Sequence, residues 1–227
     1  MRTRNALPAA AVLAALLTTG LPRAALAQGL ASYDYENLTF RGIGADVGRI
    51  WPDKVNATSV YGIRFDLGFL GPAIRIVPTL SYWKSRLKTS ELQRLAGQLT
   101  ELPALQAQNA VITAQDLGAV DWSSLAVGLD AHAVWTAPLH VFTWIGAGFG
   151  LYSMNGKGDA IDDTFIEDLL DTAAAGVSVM AGLEFEPTAQ LRLYTEGRYT
   201  VQSDIRYPTL RLGAALMFPA GTDARAP

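Results

Sequence analysis

Two histidines, His132 and His140, are the chain's only imidazoles, and it has no cysteine. Thiolate nucleophiles, thiolate metal sites and disulfides are therefore excluded. Acyl transfer from a serine by a Ser–His–acid set puts a histidine within reach of both the hydroxyl and a carboxylate. No His-x-Ser element is present, and both histidines flank one short turn, Thr136 to Pro138. No catalytic residue is assigned. His132 is expected to join an interior polar network and His140 to sit at the turn rim. A second set is acidic: Asp159, Asp162, Asp163, Glu167, Asp168 and Asp171 stand against Lys157 between Ser153 and Thr172, a local charge of −5. Carboxylate oxygens suit Ca²⁺ or Mg²⁺. No glycine follows an Asp-x-Asp-x-Asp run, so the spacing is not that of an EF-hand. Weak divalent binding competes with a solvated amphipathic helix bearing Phe165, Ile166, Leu169 and Leu170. No cofactor is expected. The third set is scattered singly: Asp46, Arg64, Asp66, Arg75, Asp130, Glu184, Arg192, Glu196, Arg198 and Arg211.

Those ten charges alternate with large apolar residues. In Tyr61-Gly62-Ile63-Arg64-Phe65-Asp66-Leu67-Gly68-Phe69 every odd position is large and apolar, and every even one is Gly or charged. That is a strand with two unlike faces. The pattern predicts eight strands, at about 38–51, 59–70, 73–83, 122–135, 139–152, 173–186, 190–201 and 207–218. They exceed the usual strand of about 5–6 residues and match a tilted bilayer crossing, about 9–11 residues plus rims. Gly71-Pro72, Thr136 to Pro138 and Pro187 to Ala189 are tight turns at one end. The other end carries loops at 52–58, 84–121, 153–172 and 202–206, two of them long. In the first long loop, Ser90 and Gln93 resemble a capping box, with Leu92, Leu95, Leu99 and Leu102 at helical spacing and Pro103 ending the run.

Composition agrees. The 227 residues are 50% hydrophobic and 17% charged, with 18 Lys and Arg against 21 Asp and Glu, a net charge of −3. Such an acidic balance argues against nucleic acid as a partner. Mean hydropathy is +0.18, yet beyond residue 27 no apolar run reaches the roughly 18 residues of a helical span. Residues 1–27 read as a secretory signal peptide: Arg2 and Arg4, the apolar stretch Ala9 to Leu17, then Ala25-Leu26-Ala27 as cleavage site. Removing it leaves 15 basic and 21 acidic residues, a net −6. Residues 28–37 form a lead, 38–218 the barrel and 219–227 a tail.

A soluble eight-stranded carrier would show the same alternation with faces exchanged. Three arguments favour apolar faces outward. An eight-stranded barrel is only wide enough to be filled by side chains, and the small and charged columns suit that space. Aromatics cluster near strand ends: Trp51, Tyr61, Tyr82, Trp83, Trp122, Tyr152, Tyr199 and Tyr207 at the loop end, Phe40, Phe69, Trp135, Phe185 and Phe218 at the turn end. Two aromatic belts suit two membrane interfaces. Finally, five arginines would meet five carboxylates inside, and buried charges must be paired.

On these features the chain resembles the eight-stranded outer-membrane barrels of Gram-negative bacteria, the OmpA-transmembrane, OmpX and opacity-protein-like group. The resemblance covers residues 38–218 and implies an all-β, antiparallel up-and-down transmembrane barrel with two long extracellular loops containing short helices. Its most specific part is the last strand, Arg211-Leu212-Gly213-Ala214-Ala215-Leu216-Met217-Phe218. Arg211, Gly213, Leu216 and Phe218 there resemble the signal read by the barrel-assembly machinery, which the resemblance implies as a partner with outer-membrane lipid and lipopolysaccharide. Two features depart from the group: the tail after Phe218, too short for a peptidoglycan-binding domain, and Pro78, where a bulge or break is expected. The resemblance leaves three roles: a closed structural or surface-interaction barrel whose extracellular ligand is unknown, a narrow pore or conduit for small solutes or hydrophobic compounds, and a lipid A-modifying enzyme. The last would need a histidine at the outer rim, whereas His132 and His140 lie at the turn end.

Overall fold

The computed structural model describes residues 38–71, 73–101, 112–137, 141–158, 170–203 and 205–218. The alternating segments form β1 (Gly42–Ile50), β2 (Thr58–Asp66), β3 (Phe69–Gly71), β4 (Ile74–Arg86), β5 (Asp121–Ala137), β6 (Val141–Lys157), β7 (Thr172–Thr188), β8 (Leu191–Gln202) and β9 (Arg206–Met217). All pairings are antiparallel. β1 pairs with β9 from Gly42↔Met217 to Ile50↔Thr209, and β2 with β4, so the sheet closes on itself. Both β2 and the short β3 pair with β4, one after the other, and make one stave of an eight-staved barrel.

Side-chain parity settles the orientation. Val127 and Leu193 are exposed on the outer wall, whereas Arg64 and Arg75 are buried. Phe149, Leu151, Val177, Val179 and Leu212 join the apolar outer belt. No helix among the described residues is long and apolar enough to cross a membrane.

Several boundaries differ from the sequence reading. β4 reaches Arg86 and β6 reaches Lys157, so the first residues of both long loops are strand. Pro78 does not break β4, whose register with β5 runs through Pro78↔Leu129. The interruption falls on its other neighbour: regular β2–β4 pairing ends at Arg64↔Thr79, and Gly68 turns with φ of 74° before β3. Ile76 donates its N–H to Gly68 O, so the donor missing at Pro78, two residues on, faces this same gap.

The loop end is stoppered by an apolar core. Helix α1 (Thr89–Thr100) contributes Leu92, Ala96 and Leu99 to one buried apolar cluster with Ile50, Val60, Trp83, Trp122, Tyr152 and Tyr207. Here the aromatic assignment needs correction. Trp83, Trp122, Tyr152 and Tyr207 are buried inside the mouth, while Trp51, Tyr61, Tyr82 and Tyr199 are exposed. The first four sit at inward parity on strands that outlast the belt. The expected Ser90–Gln93 capping box is also absent. Lys88 is the N-cap and makes no side-chain cap, which leaves Ser90 inside the first turn. A capping box forms instead at α2 (Ala114–Leu117), where Thr113 N donates to Asp116 Oδ2 at 2.8 Å and Asp116 N to Thr113 Oγ1 at 3.4 Å. The Thr113 hydroxyl, which donates to Asp116 Oδ2 at 2.6 Å, and the Thr113 N–H together hold the Asp116 carboxyl below its usual range.

Candidate functional site

The ten scattered charges converge on the barrel axis in two groups. Nearer the loop end, Arg64 Nη2 donates to Glu196 Oε2 at 2.8 Å, and Arg198 Nε to Glu196 Oε1 at 2.7 Å. Arg198 also holds Asp130 through both terminal nitrogens, and Arg211 Nη1 donates to Asp46 Oδ1 at 3.2 Å. Nearer the turn end, Arg75 lies 3.0 Å and Arg192 3.1 Å from Glu184, with Asp66 at 3.6 and 3.8 Å. The first group pairs three arginines with three carboxylates, the second two with two. All ten assigned residues are thus brought together with opposite charges.

Two contributors were not singled out in the sequence. Tyr194 donates its hydroxyl to Asp46 Oδ2 at 3.0 Å and lies 3.5 Å beneath the Arg64 guanidinium carbon. Ser178 accepts from Arg198 at 3.4 Å. Both stand at inward parity, the signal that would have found them. Inward glycines make the room: a Cβ on Gly62 would strike the Asp46 carboxylate, one on Gly148 that of Asp130, and one on Gly213 the Tyr194 ring.

His132 departs from expectation. It is buried but not bonded into the network: its ring stacks on Trp144 at 4.0 Å and 10°, and neither nitrogen has a hydrogen-bond partner among the described residues. Trp144, Val134 and Met180 form an apolar cluster there, against which Phe69 and Phe142 pack. His140 lies outside the described residues, as do Asp159, Asp162, Asp163, Glu167 and Asp168 of the acidic loop. Asp171 is described, and accepts from Asn155 Nδ2 and Gly156 N, each at 2.9 Å. No group of three metal-ligating side chains occurs among the described residues.

Little space remains inside. Cavities of about 10 Å³ beside Arg64, Arg75 and Glu184, and about 20 Å³ beside Arg198 and Arg211, lie along the polar interior. Each has room for about one water. A larger concavity of about 420 Å³ is on the outer wall, bordered by Leu129, Phe149, Val177 and Tyr199.

Of the assembly-signal residues, Arg211 and Gly213 face inward, and Leu216 and Phe218 are exposed outside. Phe218 N donates to Arg41 O at 2.7 Å, and its ring lies 5.5 Å from Phe40.

These features define a class: a closed eight-staved antiparallel barrel, apolar outside and ionic inside, the fold of the eight-stranded outer-membrane barrels. Neisserial surface protein A has this fold, with a TM-score of 0.52 at 14% identity over 81% of this chain and 100% of that one. The N-terminal β-barrel domain of Pseudomonas aeruginosa OprF aligns with a TM-score of 0.45 at 12% identity, covering 78% and 97% of the two chains. Ail of Yersinia pestis gives 0.42 at 15%, covering 81% and 99%. No family model matches the chain, and no curated protein matches its sequence.

Proposed function

We propose that this chain is an integral outer-membrane barrel without enzymatic activity, whose sealed interior carries stability and whose loops carry any surface interaction. One observation carries the reading: an apolar outer belt encloses five arginines neutralised by five carboxylates. Hydrocarbon accepts a wall with no open strand edge, and the closed sheet has none. A soluble carrier would expose that belt to water, far beyond the few hundred Å² usual for a monomer. In this reading residues 1–27 direct export and are removed, and the last strand is the signal for the assembly machinery. Outer-membrane lipid and lipopolysaccharide surround the wall.

The test combines two measurements on the full mature chain. Unheated and boiled samples should migrate differently on a gel, as expected of a barrel that resists detergent. In a planar bilayer the same sample should give no discrete conductance steps. Regular steps would replace the sealed barrel with a conduit, and a sample soluble without detergent would overturn the membrane reading.

A further inference from the structure

The outer wall at the loop end carries a charge pattern unlike the balanced interior. Arg49 on β1, and Lys84 and Arg86 on β4, are exposed there at outward parity. Lys84 Nζ lies 3.1 Å and Arg86 Nε 3.7 Å from one carboxylate, Asp121 on β5. Lys84 and Arg86 thus share one anion, and Arg49, whose Nη2 donates to Ala57 O at 3.5 Å, has no carboxylate beside it among the described residues, on a chain whose net charge is negative.

Register places these cations in rows. Arg49 pairs with Ser59 on β2, and Thr58 Oγ1 donates to Lys84 O at 2.8 Å, holding the β2 and β4 ends side by side. Two positions toward the turn end on the same columns, Val47 pairs with Tyr61 and Tyr61 with Tyr82. All three are exposed. A basic and hydroxyl row therefore lies directly above an apolar and phenolic row. Neighbouring strands are about 4.8 Å apart, so Arg49 and Lys84 flank Ser59 across about 10 Å. Once Lys84 leaves Asp121 and Arg49 leaves the Ala57 carbonyl, both side chains are long enough to meet above the serine.

We propose that Arg49, Ser59, Lys84 and Arg86 seat the phosphate group of a bilayer lipid whose acyl chains lie on Val47, Tyr61 and Tyr82. The seat rests on the membrane reading above and adds to it a specific headgroup contact. A free anion would use the cations alone. Only an amphiphile uses both rows, with its phosphate at the polar edge of the belt.

The test uses the full mature barrel in neutral detergent, with native mass spectrometry reading lipid retained. The probes are lipid A bearing its phosphates and the same glycolipid dephosphorylated. Phosphorylated lipid should bind more tightly, and Arg49→Gln with Lys84→Gln should weaken it roughly five-fold per cation removed. Arg206→Gln with Asp53→Asn, which removes a pair 3.3 Å apart at the rim, should leave retention unchanged. Equal retention of both lipids, or undiminished retention by the double variant, overturns the seat. Displacement by excess inorganic phosphate overturns the lipid assignment in favour of a free anion. Heat-dependent gel mobility of each variant, measured alongside, reports the barrel itself, so loss of the seat and loss of the membrane reading are separate outcomes.

Discussion

Replacing Glu196 by glutamine is the sharpest probe of a dry interior. Its side chain is fully buried and receives charge-assisted hydrogen bonds from Arg64 at 2.8 Å and Arg198 at 2.7 Å. The amide keeps the shape but gives one of those arginines an N–H where it had an oxygen, and leaves the interior with one unbalanced positive charge. Hydrogen bonds to charged groups contribute about 1.5–3 kcal/mol each, and breaking a buried pair costs about 3–5 kcal/mol. Glu196→Gln should therefore lose about 3–5 kcal/mol. Were the lumen hydrated, the same change would cost about 1 kcal/mol or less, as at a surface pair. Unfolding by urea in lipid vesicles, followed by tryptophan fluorescence and gel mobility, measures the difference. The exposed pair Arg94–Glu91, 2.7 Å apart on α1, is the control, and Glu91→Gln should shift the midpoint little. Adding Arg64→Met to Glu196→Gln removes the excess charge and should recover part of the loss. A Glu196→Gln midpoint no lower than that of Glu91→Gln would refute the sealed ionic core.

Three further outcomes are expected. Gly148→Val should reduce the fraction of chain refolding to the heat-resistant form, because its Cβ would meet the Asp130 carboxylate and, at 3.0 Å, Ser178 Oγ; a wild-type yield of folded band would contradict the packing. Trp83→Ala, which removes a buried ring T-stacked on Tyr207 at 6.1 Å, should cost about 3–5 kcal/mol. Bilayer conductance should stay absent in that variant, since the ionic groups below still fill the lumen. The third concerns pH. The Asp116 carboxyl is depressed by Thr113, so its contribution to the α2 cap is present above its unfolded value and lost as pH falls through its folded one. Protection of the Asp116 amide, its exchange rate taken relative to the intrinsic rate at each pH, should therefore fall on acidification below the usual carboxylate range, and Asp116→Asn should remove that pH dependence.

The wall and the ionic core were legible from alternation because parity alone assigns a strand residue to one face. Arg64, Glu196 and Arg211 were placed inside by counting in twos, and their mutual neutralisation followed from charge balance. Partners were not legible, since pairing depends on register across strands far apart in sequence, as Asp130 with Arg198 shows. Nearness to a strand end does not place the mouth aromatics, because parity decides the face each ring takes. The surroundings of His132 are not legible in its own strand, because its stacking partner, Trp144, comes from the neighbouring one. The Pro78 gap lies on β2 rather than β4, since a missing N–H is felt by the strand it would have served.

The pairing of β1 with β9 has a consequence for biogenesis. The first and last strands seal the sheet, so no intermediate length of chain can shut the ring during synthesis. Until β9 arrives, β1 keeps a row of unpaired backbone groups, a template for aggregation. Closure of so non-local a seam is intrinsically slow. The polypeptide therefore stays open and unpaired along β1 until the twelve residues of β9 have been delivered.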